Sequence, residues 1–186
     1  MSGPIKHRDL IKLTLLAVAS LVLKPAFRSA FAGFALSLHL PIGSLIGGMY
    51  MFWPVLAAGL FPRTGTALLF CFIQGVLATL TGLTGKLGPL GLISYTLPGL
   101  VIEGWVRLIP SRNVCKHPGL ALAASATANA SGALVHGMLY FGPGNLVIST
   151  VAVTSLISGT LGGVLACMLY GILSVRRILP GMSRHD

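Results

Sequence analysis

Apolar runs of helical length alternate with short polar breaks along the chain. A helix that crosses a bilayer needs about 20 mostly apolar residues, and six such runs can be traced. The first predicted helix covers about 10–23 and stops at Lys24-Pro25, since proline breaks the hydrogen-bond ladder. Residues 24–41, with Arg28, His39 and Pro41, form a long, partly helical connection that dips into the membrane. The next helices are predicted at about 42–61, closed by Pro62-Arg63, then at 65–81, and at 88–109, closed by Pro110. The last two, at 118–140 and 146–175, form a hairpin through Phe141-Gly142-Pro143-Gly144-Asn145, and a basic tail follows over 176–186. The sixth run is too long for one straight span, so it tilts or projects.

Composition turns these runs into membrane spans. Only 9% of the residues are charged and 54% are hydrophobic, with mean hydropathy +0.88, against roughly 25% charged in soluble domains. The expected architecture is an all-α membrane protein with six transmembrane helices in one integral membrane domain, residues 1–186. The first run follows a basic start (Lys6, Arg8, Lys12) and reads as a retained helix, not a cleaved signal. Ten of the 13 Lys and Arg residues fall in the turns on one side, and Lys24, Arg28 and Lys86 on the other. Positive residues mark the cytoplasmic side, so both termini are expected in the cytoplasm. Connections 24–41 and 79–91, rich in Gly, Ser, Thr and Pro, then lie outside and cover a small-ligand pocket. The net charge of +10 is topological on this reading, because no basic face with interleaved aromatics points to nucleic acid.

Few side chains carry chemistry. Gly85-Lys86 resembles the end of a phosphate loop, but Leu80 and Leu87 stand where that motif needs Gly and Ser or Thr. No carboxylate pair or nucleophile motif is present, so no enzyme and no catalytic residue is expected. Cys71, Cys115 and Cys167 are too widely spaced for a disulfide framework. His39 and His136 alone converge on the outer side, too few for a metal centre. Polar groups inside a membrane are functional candidates by default. Trp53, Gln74, Tyr95, Asn129, His136 and Tyr140 fall in the outer half or near mid-membrane and are the expected substrate-binding set, with Tyr50, Thr150, Thr154 and Ser155 nearby. Each also has a plainer role, as an interfacial aromatic anchor or an interhelical hydrogen bond. Glu103, the sole acid between Asp9 and Asp186, lies near the inner end of the fourth helix. Arg107, four residues on, is its expected ion-pair partner, giving a structural or coupling role. Small residues recur on the sixth helix (Ser155, Gly159, Gly163; Ser158, Gly162, Ala166), for internal packing or for docking another subunit.

Two stretches resemble a known family. Ile46 to Leu69, with an aromatic helix leading into Arg63-Thr-Gly-Thr-Ala-Leu, and Leu97-Pro-Gly-Leu-Val-Ile-Glu103 are similar to the substrate-binding S component of energy-coupling factor (ECF) transporters. The resemblance is to the YkoE-like thiamine or hydroxymethylpyrimidine subgroup and covers roughly residues 42–175. It implies an importer subunit in a prokaryotic plasma membrane that binds a vitamin or vitamin precursor from outside. It implies docking on a membrane coupling (T) component driven by two cytoplasmic ATPases, with no cofactor. Thiamine-type members carry further acids in the third helix where Cys71 and Ala78 stand here. The alternative is a structural or assembly subunit of another membrane complex, without a pocket.

Overall fold

The computed structural model describes residue 5 and residues 7–37, 42–142 and 146–175. These form six α-helices: α1 (His7–Ser37), α2 (Ile42–Leu60), α3 (Thr66–Leu80), α4 (Gly91–Arg107), α5 (Pro118–Phe141) and α6 (Leu146–Val175). Short 3₁₀ turns, Gly85–Leu90 and Val114–Lys116, precede α4 and α5. No strand occurs among the described residues. Three helices are long and apolar enough to cross a membrane: α1, α2 and the Ile148–Ser174 part of α6.

The largest departure from the sequence expectation is α1. It runs through Lys24-Pro25 and absorbs most of the expected 24–41 connection. At 1.5 Å per residue its length is about 46 Å, against a hydrocarbon layer of about 30 Å. Proline is a weak stop signal here because a membrane helix gains nothing by exposing its backbone to lipid. Residues 38–41, the centre of the expected α5–α6 turn (143–145) and the tail 176–186 lie outside the described residues.

The glycine turn after α3 has a definite geometry. Gly82, at φ 72°, donates to the Thr79 carbonyl and Leu83 donates to the Ala78 carbonyl. This paired closure needs a left-handed residue just past the helix, and only glycine takes that conformation without strain.

Two seams hold the bundle. In the first, α6 packs against both α2 and α5. A Cβ on Gly48 would collide with the Ser158 carbonyl oxygen, and one on Gly162 with the backbone of Gly48. On the adjacent stripe, a Cβ on Gly159 would come within 2.6 Å of Ala126 Cα, and one on Gly163 within 2.9 Å of the Ala121 carbonyl oxygen. Both small-residue stripes of α6 are therefore used inside the chain, one on α2 and one on α5. The Ser158 hydroxyl locks the junction: it donates to the Ser44 carbonyl (2.6 Å) and accepts from Asn129 Nδ2 (2.9 Å) and the Gly48 amide (3.3 Å). Its hydrogen-bonding capacity is filled.

The second seam joins α3 and α4 in register. Gly75 lies under Leu92 and Tyr95, Gly99 lies against Ala67 and Cys71, and Glu103 reaches Gly65. Pro98 of the same helix fills the notch at Gly132 of α5. Helix α5, wrapped by α2, α4 and α6, buries Ala121, Ala124, Ser125, Ala128 and Asn129. Its small, polar composition follows from that central place, and it explains why α5 is less apolar than a lipid-facing span.

A side chain at Gly48 has no space, whereas a Cβ on Gly43 meets nothing within 4 Å. Gly48→Val is expected to destabilise by about 3 kcal/mol, the upper range for overpacking, and Gly43→Ala to change little. Thermal unfolding monitored by size-exclusion chromatography checks this; equal behaviour of the two variants would contradict the seam.

Candidate functional site

The contacts sort the polar groups into two ends. At one end lie the start of α1, the α2–α3 turn and the α4–α5 connection. Asp9 pairs with Arg63 at 2.9 Å, and the Arg112 guanidinium donates to the Thr64 hydroxyl. Gly65, held at φ 86°, donates its amide to Glu103 Oε1 at 2.6 Å. Glu103 is buried (3% exposed) and stands at the N-terminus of α3, where free amides and the helix dipole favour a carboxylate. The ion pair expected between Glu103 and Arg107 is not formed: Arg107 is exposed, and the carboxylate faces into the bundle toward the α3 amide. Glu103 thus ties together the two stretches, 46–69 and 97–103, that carried the family resemblance. Cys115 of the α4–α5 connection stands beside Cys167; that thiol and burial raise its pKa, which keeps it a neutral, unreactive packing group. The described cysteines are all free.

At the opposite end, the Lys24 ammonium lies between two tyrosines. Its Nζ is 4.3 Å from the Tyr95 ring centre and 4.7 Å from that of Tyr50, well inside cation–π range. It donates to the Tyr95 hydroxyl, while the Tyr50 hydroxyl donates to the Lys24 carbonyl at 3.4 Å. One turn earlier on α1, Ser20 accepts from Gln74 Nε2 at 2.7 Å. By its sequence, Lys24 ends the first helix and lies outside the expected binding set. The signal available was its spacing, since Ser20, Lys24 and Arg28 recur every four residues on one helical face.

The six expected binding residues divide accordingly. Tyr95 joins the Lys24 cluster, with His136 within electrostatic reach of Lys24 and stacked on Tyr140 at 6.2 Å. His136 and Tyr140 are exposed. Gln74 and Asn129 are buried and occupied within the bundle, Gln74 on Ser20 and Asn129 on the Ser155 carbonyl (2.7 Å) and Ser158. Trp53 packs edge-on against Phe52, its indole N–H without a partner.

The hollows found among the described residues are open and apolar. One, of about 250 Å³, is lined by Leu10, Ile11, Thr14 and Leu15; the other, of about 130 Å³, by Val76, Thr79, Leu80, Pro89 and Leu92. Neither includes a residue of the expected binding set. Between Tyr50 and Tyr95 the space is taken by Lys24 itself. No cluster of three or more His, Cys, Asp or Glu suited to a metal ion occurs among the described residues.

Burial and partners predict distinct mutational effects. Glu103→Ala strands the Gly65 amide donor, and Asn129→Ala strands the acceptors on Ser155 and Ser158; each is expected to cost about 1–3 kcal/mol. Glu103→Gln keeps an acceptor for Gly65 and costs less, about 0.3–1 kcal/mol, the size of the helix-dipole term. Arg107→Ala, at an exposed site, stays within about 0.5 kcal/mol. Tryptophan fluorescence during thermal unfolding measures all four, and an Arg107→Ala loss matching that of Glu103→Ala would reinstate the ion pair.

Among known proteins, no curated protein and no solved structure matches the chain. One family model does, that of the ABC-type cobalt transport system, permease component, over residues 8–131, about two thirds of the length. That match runs from the start of α1 into α5 and takes in the α3–α4 seam, Glu103 and the Lys24–Tyr50–Tyr95 cluster, but not α6 or His136. With its long apolar helices, the chain is a membrane protein, and it belongs to the family of permease components of ABC-type cobalt transport systems.

Proposed function

We propose that the chain is the substrate-binding (S) component of an ECF-type importer for a small vitamin-like molecule. A permease component of an ABC-type system works with ATPase subunits and membrane partners. On this reading the partners are a T-type coupling component and two cytoplasmic ATPases. All six helices cross a prokaryotic plasma membrane, with both termini inside. The segregation of contacts supports that alternation: Asp9, Arg63, Glu103 and Arg112 gather at one end, and Lys24, Tyr50, Tyr95 and His136 at the other.

The observation that carries the reading is the Lys24–Tyr50–Tyr95 cluster. Aromatic rings and hydrogen-bonding groups drawn from α1, α2 and α4 are what a small polar ligand requires. The family's description names cobalt, but the described donor atoms do not converge as a metal site requires. A small organic molecule is the better cargo, with hydroxymethylpyrimidine the first candidate; thiamine, a cation, is disfavoured by the Lys24 ammonium. A second reading, a structural subunit without a ligand, is favoured by the open, apolar character of the hollows and by the internal use of Gln74 and Asn129.

A thermal-stability screen of the purified protein in nanodiscs separates the two. A cargo at 100 times its dissociation constant is expected to add about 2.7 kcal/mol. Thiamine, hydroxymethylpyrimidine, biotin and their phosphate esters are the probes. If none shifts the transition, the structural-subunit reading prevails.

A further inference from the structure

The Lys24 end of the bundle is basic and carries no acid among the described residues. Arg28 stands one turn beyond Lys24 on α1 and is exposed, and the exposed His136 of α5 lies within electrostatic reach of Lys24. The described acids, Asp9 and Glu103, both sit at the opposite end, on Arg63 and on the Gly65 amide. An ammonium group has three N–H donors and no acceptor. Lys24 uses one on the Tyr95 hydroxyl, and its other neighbours are the faces of two rings. Ring faces attract a cation but do not neutralise it. An ionisable group held in a membrane bundle ordinarily has a counter-charge, and here the described residues supply none.

Position along α1 says where a counter-charge would come from. Lys24 is about 26 Å along the helix from His7, close to the thickness of the hydrocarbon layer. With His7 at the near boundary, Lys24 stands near the far one, half-buried between two rings, with the exposed Arg28 one turn further out. Two cations, two phenol hydroxyls and an imidazole at such a boundary repel a cationic ligand and match an anion by charge-assisted hydrogen bonds.

We infer that Lys24, Arg28, Tyr50, Tyr95 and His136 form a binding site for an anionic group of the phosphate or carboxylate type. The ammonium turns from the rings to the anion, the Tyr95 hydroxyl is released to donate, and Arg28 closes from the exposed side. The anion belongs either to the imported molecule or to a lipid headgroup. Only its assignment to the cargo rests on the substrate-binding reading above; the anion site stands without it.

The test uses the full chain in phosphatidylcholine nanodiscs, with calorimetric titration and thermal unfolding as readouts. The probes are inorganic phosphate, hydroxymethylpyrimidine and its phosphate ester; a separate arm replaces part of the lipid with phosphatidylglycerol and adds no solute. The ester is expected to bind at least about ten-fold more tightly than the alcohol, the scale of a hydrogen bond to a charged group. Lys24→Met should abolish that preference. Arg28→Gln, at an exposed position remote from the packing seams, should reduce it while leaving the fold intact. A Lys24-dependent response to phosphatidylglycerol alone assigns the site to lipid. Equal binding of alcohol and ester, with no Lys24-dependent response to phosphate or phosphatidylglycerol, overturns the site. Binding of a neutral or cationic vitamin in that case would leave the importer reading standing. A phosphatidylglycerol response without any solute binding would do the reverse.

Discussion

The Ser158 junction is the constraint on which the rest of the bundle depends. Within a bilayer, helices gain little from the hydrophobic effect, because lipid is as apolar as leucine, and association rests on close packing and interhelical hydrogen bonds. Here α2 and α6 touch through backbone at Gly48 and Gly162, and one hydroxyl satisfies groups from α2 and α5 together. Once α6 is fixed against α2 and α5, Pro98 in the Gly132 notch positions α4, and the α4 glycine–glutamate seam positions α3. The fold is a chain of close contacts in which each depends on the one before it.

That order also separates stability from binding. The buried polar groups Ser158, Asn129, Gln74 and Glu103 are partnered within the packing seams or on the helix end they cap, Glu103 through Oε1 alone. The groups with spare capacity, Lys24 and the exposed His136, lie together at one end. A membrane protein with three acids in 186 residues has placed the two described ones where they cap a helix and pair an arginine. The other end is left positive.

The sequence made much of this legible and hid the rest for physical reasons. Helices α2 to α6 start and stop within about three residues of the expected bounds, because the apolar runs are broken by clusters of glycine, proline and charged residues (Pro62-Arg63, Gly82 to Gly91, Pro110 to His117). Single prolines such as Pro25, Pro54 and Pro98 do not end a helix. The α1 boundary was misread because Lys24-Pro25 resembles a stop, yet neither residue ends a helix whose alternative is unpaired backbone in lipid. The small-residue stripes were legible as packing surfaces, but which helix each would meet depends on tertiary geometry. Glu103 was legible as a buried acid in need of a partner. Its partner was not, since a backbone amide 38 residues away leaves no mark on the sequence. For the candidate site, residue type singled out Tyr95 and His136, which lie at the Lys24 end, whereas Gln74 and Asn129 look alike from sequence whether they face a ligand or another helix.

Helix α1 is peripheral: it packs on α2 and α3, and only 22% of its most apolar window is buried. It also leaves the ribosome before α2 to α6. Its polar latches close with residues made much later, Ser20 with Gln74 after 54 more residues and Lys24 with Tyr95 after 71. Through that interval α1 must reside in the bilayer with a bare ammonium, which its long stem carries to the headgroup layer. Its latches therefore close only once α3 and α4 have emerged, and the Ser158 junction that joins α6 to α2 closes later still.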